Sequence, residues 1–170
     1  MKSAKIMIAV GLAVLLAIAS AAAGQAKSGT CTVKITGGLE QSFECSAELR
    51  NMNGWVLNIG GKSSLPFDFG GLITFGGQPQ AGKTYNLQDL EGVTQMVRDK
   101  HDKEGNGWSA SASKKPSQFG PKTIPAPIGS MTLKLTSMGP EPVVHGTLTV
   151  TLKPDMLNKN KKDVITTYEF

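Results

Sequence analysis

The chain reads as an all-β protein: an antiparallel β-sandwich or, as the alternative, a small closed β-barrel, with about nine or ten short strands and one disulfide. Three observations predict this. Apolar and polar residues alternate with a period of two through most of the chain after residue 30, the pattern of half-buried strands. Glycine, proline and Asn-Gly pairs interrupt the alternation at short intervals, as turns between strands do. Helical periodicity is almost absent, so nothing suggests layers of helix over sheet.

The elements follow in order. Lys2 and Lys5 make a short cationic start, an apolar run from Ile6 to Ala19 follows, and SAAAGQA places Ala21 and Ala23 at the −3 and −1 positions of a cleavage site. That is the form of a secretory leader over residues 1–23, ahead of a single exported β domain over 24–170. Cleavage after Ala26 is a second option, with Gly24 at −3. A retained anchor helix is a weaker reading, because no stop-transfer pattern follows. No other apolar run approaches the ~18 to 20 residues a bilayer demands, so no stable span is expected after leader removal. A periplasmic or extracellular protein follows. Loss of Lys2 and Lys5 takes Lys+Arg from 18 to 16 against 13 Asp+Glu, so the formal charge falls from +5 to +3. That excess favours solubility and says little about a polyanionic partner.

Cys31 and Cys45, the two cysteines of the chain, both fall in the exported part and are read as one disulfide. Lipidation of Cys31 fits poorly, since SGT precedes it and the apolar core of the leader ends a dozen residues earlier. Around the pair, Cys31, Val33 and Ile35 share one strand face, and Phe43, Cys45, Ala47 and Leu49 share another. If Cys31 opposes Cys45, then Val33 opposes Phe43 and Ile35 opposes Gln41. The turn then falls on Gly37, Gly38 and Leu39, where glycine tolerates the positive φ of a tight loop.

Asn53-Gly54 is a turn that leads into a strand over Trp55–Ile59. Gly60, Gly61 and Pro66 break the chain, and Gly71–Phe75 forms the next strand. Lys83–Leu87 is extended, after which Asn86 caps a short helical turn with Asp89 three residues on and Gly92 ending it. Apolar character resumes over Val93–Val97. Asn106-Gly107 repeats the turn chemistry before Trp108–Ala112. Residues 114–129 hold four prolines and form a long loop with polyproline character. Met131–Leu135 and Val144–Leu152 are the clearest strands, the second with Val144, Leu148, Val150 and Leu152 inward and its threonines outward. Val164–Phe170 closes the chain. Of the two architectures, the sandwich is favoured.

The stretch GQPQAGKT, Gly77–Thr84, matches the phosphate-loop pattern letter for letter. A working loop needs a parallel strand before it and a sustained helix after it, whose N-terminal N–H groups hold the phosphates. Gly92 interrupts the one helical candidate within about two turns, and no βαβ unit follows. The stretch is therefore read as a turn with Lys83 exposed, and no nucleotide is expected.

Other chemistries fare no better. Asp102–Gly107 resembles the opening of a calcium loop, but Glu104 occupies its third position and Ser113 its twelfth, where a bidentate Glu belongs. His101 and His145 lack a partner at ligand spacing. The lysines at 153, 159, 161 and 162 have no interleaved aromatics for base stacking, so no nucleic acid is expected. The closing VITTYEF suits the last strand of an outer-membrane barrel, yet the strands are short for ~9 to 11 residues and aromatics are too sparse for two girdles. Trp55 and Trp108 are core residues by default, and ligand-stacking residues if one stands exposed on a sheet face.

The expected function is therefore an exported, non-catalytic binding or envelope-structural domain without metal or cofactor. Its partner would be a glycan, an apolar small molecule or an envelope protein, met on a sheet face or the loops 99–107 and 114–129. A barrel carrying an apolar ligand and a cryptic hydrolase are the alternatives.

Overall fold

A computed structural model describes residues 30–37, 39–103, 106–116, 124–140, 142–159 and 162–170. The leader over 1–23 lies outside the described residues, as do Gly38, Glu104, Gly105 and 117–123 of the proline-rich loop.

The described residues form ten strands: β1 (Thr30–Gly37), β2 (Gln41–Asn51), β3 (Trp55–Gly61), β4 (Phe67–Thr74), β5 (Thr84–Asn86), β6 (Gly92–Asp99), β7 (Gly107–Ser113), β8 (Ser130–Met138), β9 (Val144–Pro154) and β10 (Val164–Glu169). A 3-10 turn, Leu87–Asp89, lies between β5 and β6. The period-two reading holds in detail. In β9 the inward residues Val144, Leu148, Val150 and Leu152 are buried, while Thr147 and Thr149 are exposed.

The first hairpin has the register that the cysteines imply. Cys31 opposes Cys45, Val33 opposes Phe43 and Ile35 opposes Gln41, and the disulfide is formed with a Cα–Cα distance of 4.8 Å. At the next turn Asn53 takes a left-handed φ of 58°, which asparagine tolerates better than most residues. The start of the 3-10 turn matches expectation, since the Asp89 carboxylate accepts a 2.7 Å bond from the Asn86 N–H, but the turn ends at Leu90 and Gly92, expected to end it, already begins β6.

The sandwich favoured from the sequence gives way to the alternative, a closed antiparallel barrel. Eight strands pair around a ring in the order β1-β2-β3-β4-β6-β7-β9-β10 and back to β1. Two pairings decide this. The last strand, β10, lies between β1 and β9 and zips both, with Tyr168 opposite Val33 on one side and Leu148 on the other. On the far side, β7 meets β9 through Trp108 opposite Pro154 and Ser109 opposite Lys153. A sandwich keeps two sheets with free edges, whereas closure removes them.

Strand β9 is long enough to do two jobs. Its Val144–Thr151 part carries β8 as an extra strand, and β5 adds to the outer edge of β8. Its end closes the ring against β7. The interior is a contiguous apolar cluster that includes Ile35, Leu57, Ile73, Val97, Leu148 and Leu152, all essentially inaccessible to solvent. Each such side chain contributes about 1.5–3 kcal/mol by leaving water. The chain end is sewn in by a reciprocal backbone pair between Phe170 and Gly146, at 3.0 and 2.6 Å.

Candidate functional site

The seam of the ring is where a site forms. Along β7, Trp108 and Ser109 pair with β9, but Ser111 instead exchanges backbone bonds with Ile128, at 3.0 and 2.8 Å. Past that bridge the edges of β7 and β8 diverge, and a cavity of about 770 Å³ opens between them. Its walls come from four separate stretches. Leu87 and Leu90 of the 3-10 turn region form one apolar side, and Ile124, Pro125 and Pro127 form another. The end of β7 contributes Ser113 and Lys114, while Met131, Thr132, Thr149 and Thr151 come from β8 and β9.

Local sequence explains each wall. The bond that the Asn86 N–H donates to the Asp89 carboxylate fixes the 3-10 turn at the end of β5, and that turn brings Leu87 and Leu90 to the groove. Prolines hold the 124–127 arm extended, since the ring fixes φ and removes a donor. Thr132 and Thr149 oppose one another across the β8–β9 ladder on its outer face, so their hydroxyls form a pair beside the cavity. Among the described residues of the lining Lys114 is the one ionisable side chain, and none of them is a carboxylate. Such a groove offers apolar surface, neutral donors and acceptors, and a single positive charge.

The residues singled out in the sequence lie elsewhere. Trp108 is buried, 3% exposed, and its indole Nε1–H donates to the Lys162 carbonyl at 3.0 Å. Trp55 is half-buried and packs against the core. The structure does not bring them together: Trp108 pairs with Val97 towards the Asp99 end of β6, whereas the Trp55 carbonyl holds Phe75 just beyond Thr74, which pairs with Gly92 at the other end. Neither tryptophan lines the groove.

The Gly77–Thr84 stretch is a turn between β4 and β5, and the helical element that follows is the three-residue 3-10 turn. Gly82 N–H and Lys83 carbonyl bond Leu135 of β8, at 2.7 and 3.1 Å, and the Lys83 ammonium rests 4.8 Å from the Tyr85 ring centroid. In the loop that resembles a calcium site, the Asp102 carboxylate accepts from the Asn106 side-chain amide. His101 is exposed on that loop, and His145 is half-buried on β9. Among the described residues no group of three or more His, Cys, Asp or Glu side chains is placed to share a metal ion. No helix among them is long and apolar enough to cross a membrane.

Among the described residues the Tyr168 phenol is strongly perturbed. Burial pushes the Tyr168 phenol up to about 12, because the phenolate loses its hydration inside the barrel. The Thr166 hydroxyl lies near enough to oppose this a little, although its oxygen stops short of hydrogen-bond geometry.

The groove was not legible in the sequence. Its lining joins residues 86–90, 112–114, 124–132 and 149–151, which no linear motif connects. The one local signal was the proline-rich segment, since long loops with their own composition often carry function. Comparison with protein-family models, curated proteins and solved structures found no match.

Proposed function

We propose that this chain is an exported, non-catalytic binding domain whose ligand occupies the groove at the β7–β8 seam. One observation carries the reading: a cavity of about 770 Å³ whose described lining residues offer leucines, prolines, hydroxyls, two side-chain amides and one lysine. Its size falls in the range of small-molecule sites, and its walls mix apolar surface with hydroxyl and amide groups in near-equal measure. The lining suits a neutral or singly anionic amphipathic molecule. A fatty acid has that character, with its chain along Leu87, Leu90, Ile124 and Pro127 and its headgroup towards Lys114. Carriage inside the barrel has less support, because Ile35, Leu57, Ile73 and Leu148 fill the interior. The Cys31–Cys45 disulfide supports an oxidising compartment and so agrees with export.

The test fills the groove. Thr132 and Thr149 are exposed positions in its lining, so Thr132→Trp and Thr149→Trp add bulk there without touching the core. A thermal-shift panel of fatty acids, neutral glycans and short peptides is run on all three proteins. A ligand at a hundred times its Kd adds about 2.7 kcal/mol, a rise of several degrees for a domain of this size. The expected result is a shift with a fatty acid that both variants abolish while keeping their own Tm. A ligand whose shift survives both substitutions places binding elsewhere and refutes the groove.

A further inference from the structure

Inside the barrel, on the wall next to the seam, one side chain breaks the apolar pattern. Gln95 sits in mid-β6 between Val93 and Val97, on the face that looks inward, and all three are buried. The Gln95 side chain is wholly enclosed, and neither Oε1 nor Nε2 has a hydrogen-bond partner among the described residues. A primary amide has two donors and two acceptor lone pairs, so this is the largest unmet hydrogen-bonding demand in the core. Native structures meet such demands almost without exception, by protein groups or by ordered water.

The ladder around Gln95 brings no polar side chain to the amide. Its partners are Gly71 on β4 and Ala110 on β7, the two smallest side chains available. Neither residue can reach over the amide or answer it. Gly71 is fixed as glycine, since a Cβ there would run into the Thr94 carbonyl oxygen. The other orphan is the Thr166 hydroxyl, a different case: a hydroxyl rotates freely, and the Tyr168 phenol lies close by.

We propose that the barrel holds ordered water at Gln95, donating to Oε1 and accepting from Nε2, as a permanent internal hydration site. Water rather than a larger guest follows from the surrounding core, where Val97, Leu57, Ile73 and Leu152 are packed to near-zero exposure. A cavity needs little more than one probe sphere to hold a water, provided polar partners line it. The site is independent of the groove: Gln95 is not among the groove's lining residues.

The experiment is NMR on the oxidised, isotope-labelled protein, reading water-to-protein cross-relaxation at the Gln95 side-chain amide, with native mass spectrometry alongside. The expected result is a cross-peak from the Gln95 amide protons to the water resonance, with the sign of a long-lived complex. In Gln95→Met, which removes both polar atoms at similar volume, cross-peaks from water to the Val93, Val97 and Ala110 methyls should be absent. Absence of the wild-type cross-peak overturns the proposal, and a Gln95→Met protein of higher Tm then identifies the amide as bare and unpaired. Water that persists beside those methyls in Gln95→Met refutes the role of Gln95 in holding it. A retained mass other than water refutes the identity of the guest. If Gln95→Met does not fold, the wild-type cross-peak alone decides.

Discussion

Removing the disulfide is the sharpest test of how this fold is held. Cys31 and Cys45 face each other on β1 and β2, 14 residues apart, and both are 6% exposed. In the chain-entropy model, releasing a loop of that length returns to the unfolded chain freedom worth about 3 kcal/mol at room temperature. The fold itself should survive, because β1 is paired along most of its length to β2 on one side and β10 on the other. Serine would add a second cost by placing a hydroxyl among apolar neighbours, so Cys31→Ala with Cys45→Ala is the cleaner variant. Urea unfolding of the oxidised wild type, the reduced wild type and the double-alanine protein gives the result. With m-values of about 1–3 kcal/mol/M, the midpoint should fall by roughly 1–3 M while m stays nearly constant. The far-ultraviolet spectrum should remain that of the oxidised protein. A midpoint shift below roughly 0.3 M, at unchanged m, would refute the argument that this loop contributes through its closure.

Two further outcomes follow from single positions. Gly71→Ala drives a Cβ into the Thr94 carbonyl oxygen, whereas a Cβ at Gly60 meets nothing within 4 Å. The first should cost at least about 3 kcal/mol, and Gly60→Ala should stay within about 0.5 kcal/mol of wild type in thermal melts; equal Tm values for the two would contradict the strand approach described. For Tyr168 the neutral phenol is favoured in the folded state, with a pKa near 12 against 10.0 for the free group. The folded protein therefore binds more protons between those values. Its burial contributes stability in full below about pH 10, and about 2–3 kcal/mol is lost as pH rises to about 12. Phenolate absorbance of Tyr85→Phe, which leaves Tyr168 as the chain's one tyrosine, reads the folded pKa directly. Tyr168→Phe should lack that part of the alkaline slope, and a Tyr168 midpoint near 10 would contradict the burial argument.

Much of the local structure could be read from residues close in sequence. Alternation placed the inward residues of β1, β2 and β9. Gly37, with the two cysteines, marked the first register, and Asn86 with Asp89 marked the helical turn. These are short-range effects: side-chain direction, turn dihedrals and capping bonds act within a few residues. The start of β4 was missed, because Pro66 reads as a break while the strand begins one residue later at Phe67. Gln95 carried a signal that the alternation itself supplied, a polar residue at an inward position between two valines. Periodicity gives its direction but says nothing of what surrounds its amide.

The sequence by itself determined the stranded character of the chain, the inward faces of β1, β2 and β9, the disulfide register and the turn character of Gly77–Thr84, since each depends on neighbours along the chain. Tertiary structure alone decided the barrel over the sandwich, the enclosure of Gln95 and the groove at the seam. Closure rests on β10 slotting between β1 and β9 and on Trp108 and Ser109 meeting Pro154 and Lys153. Both architectures use the same alternating pattern on each strand. They differ in which distant edges pair, and that choice is made by the packing of the whole chain.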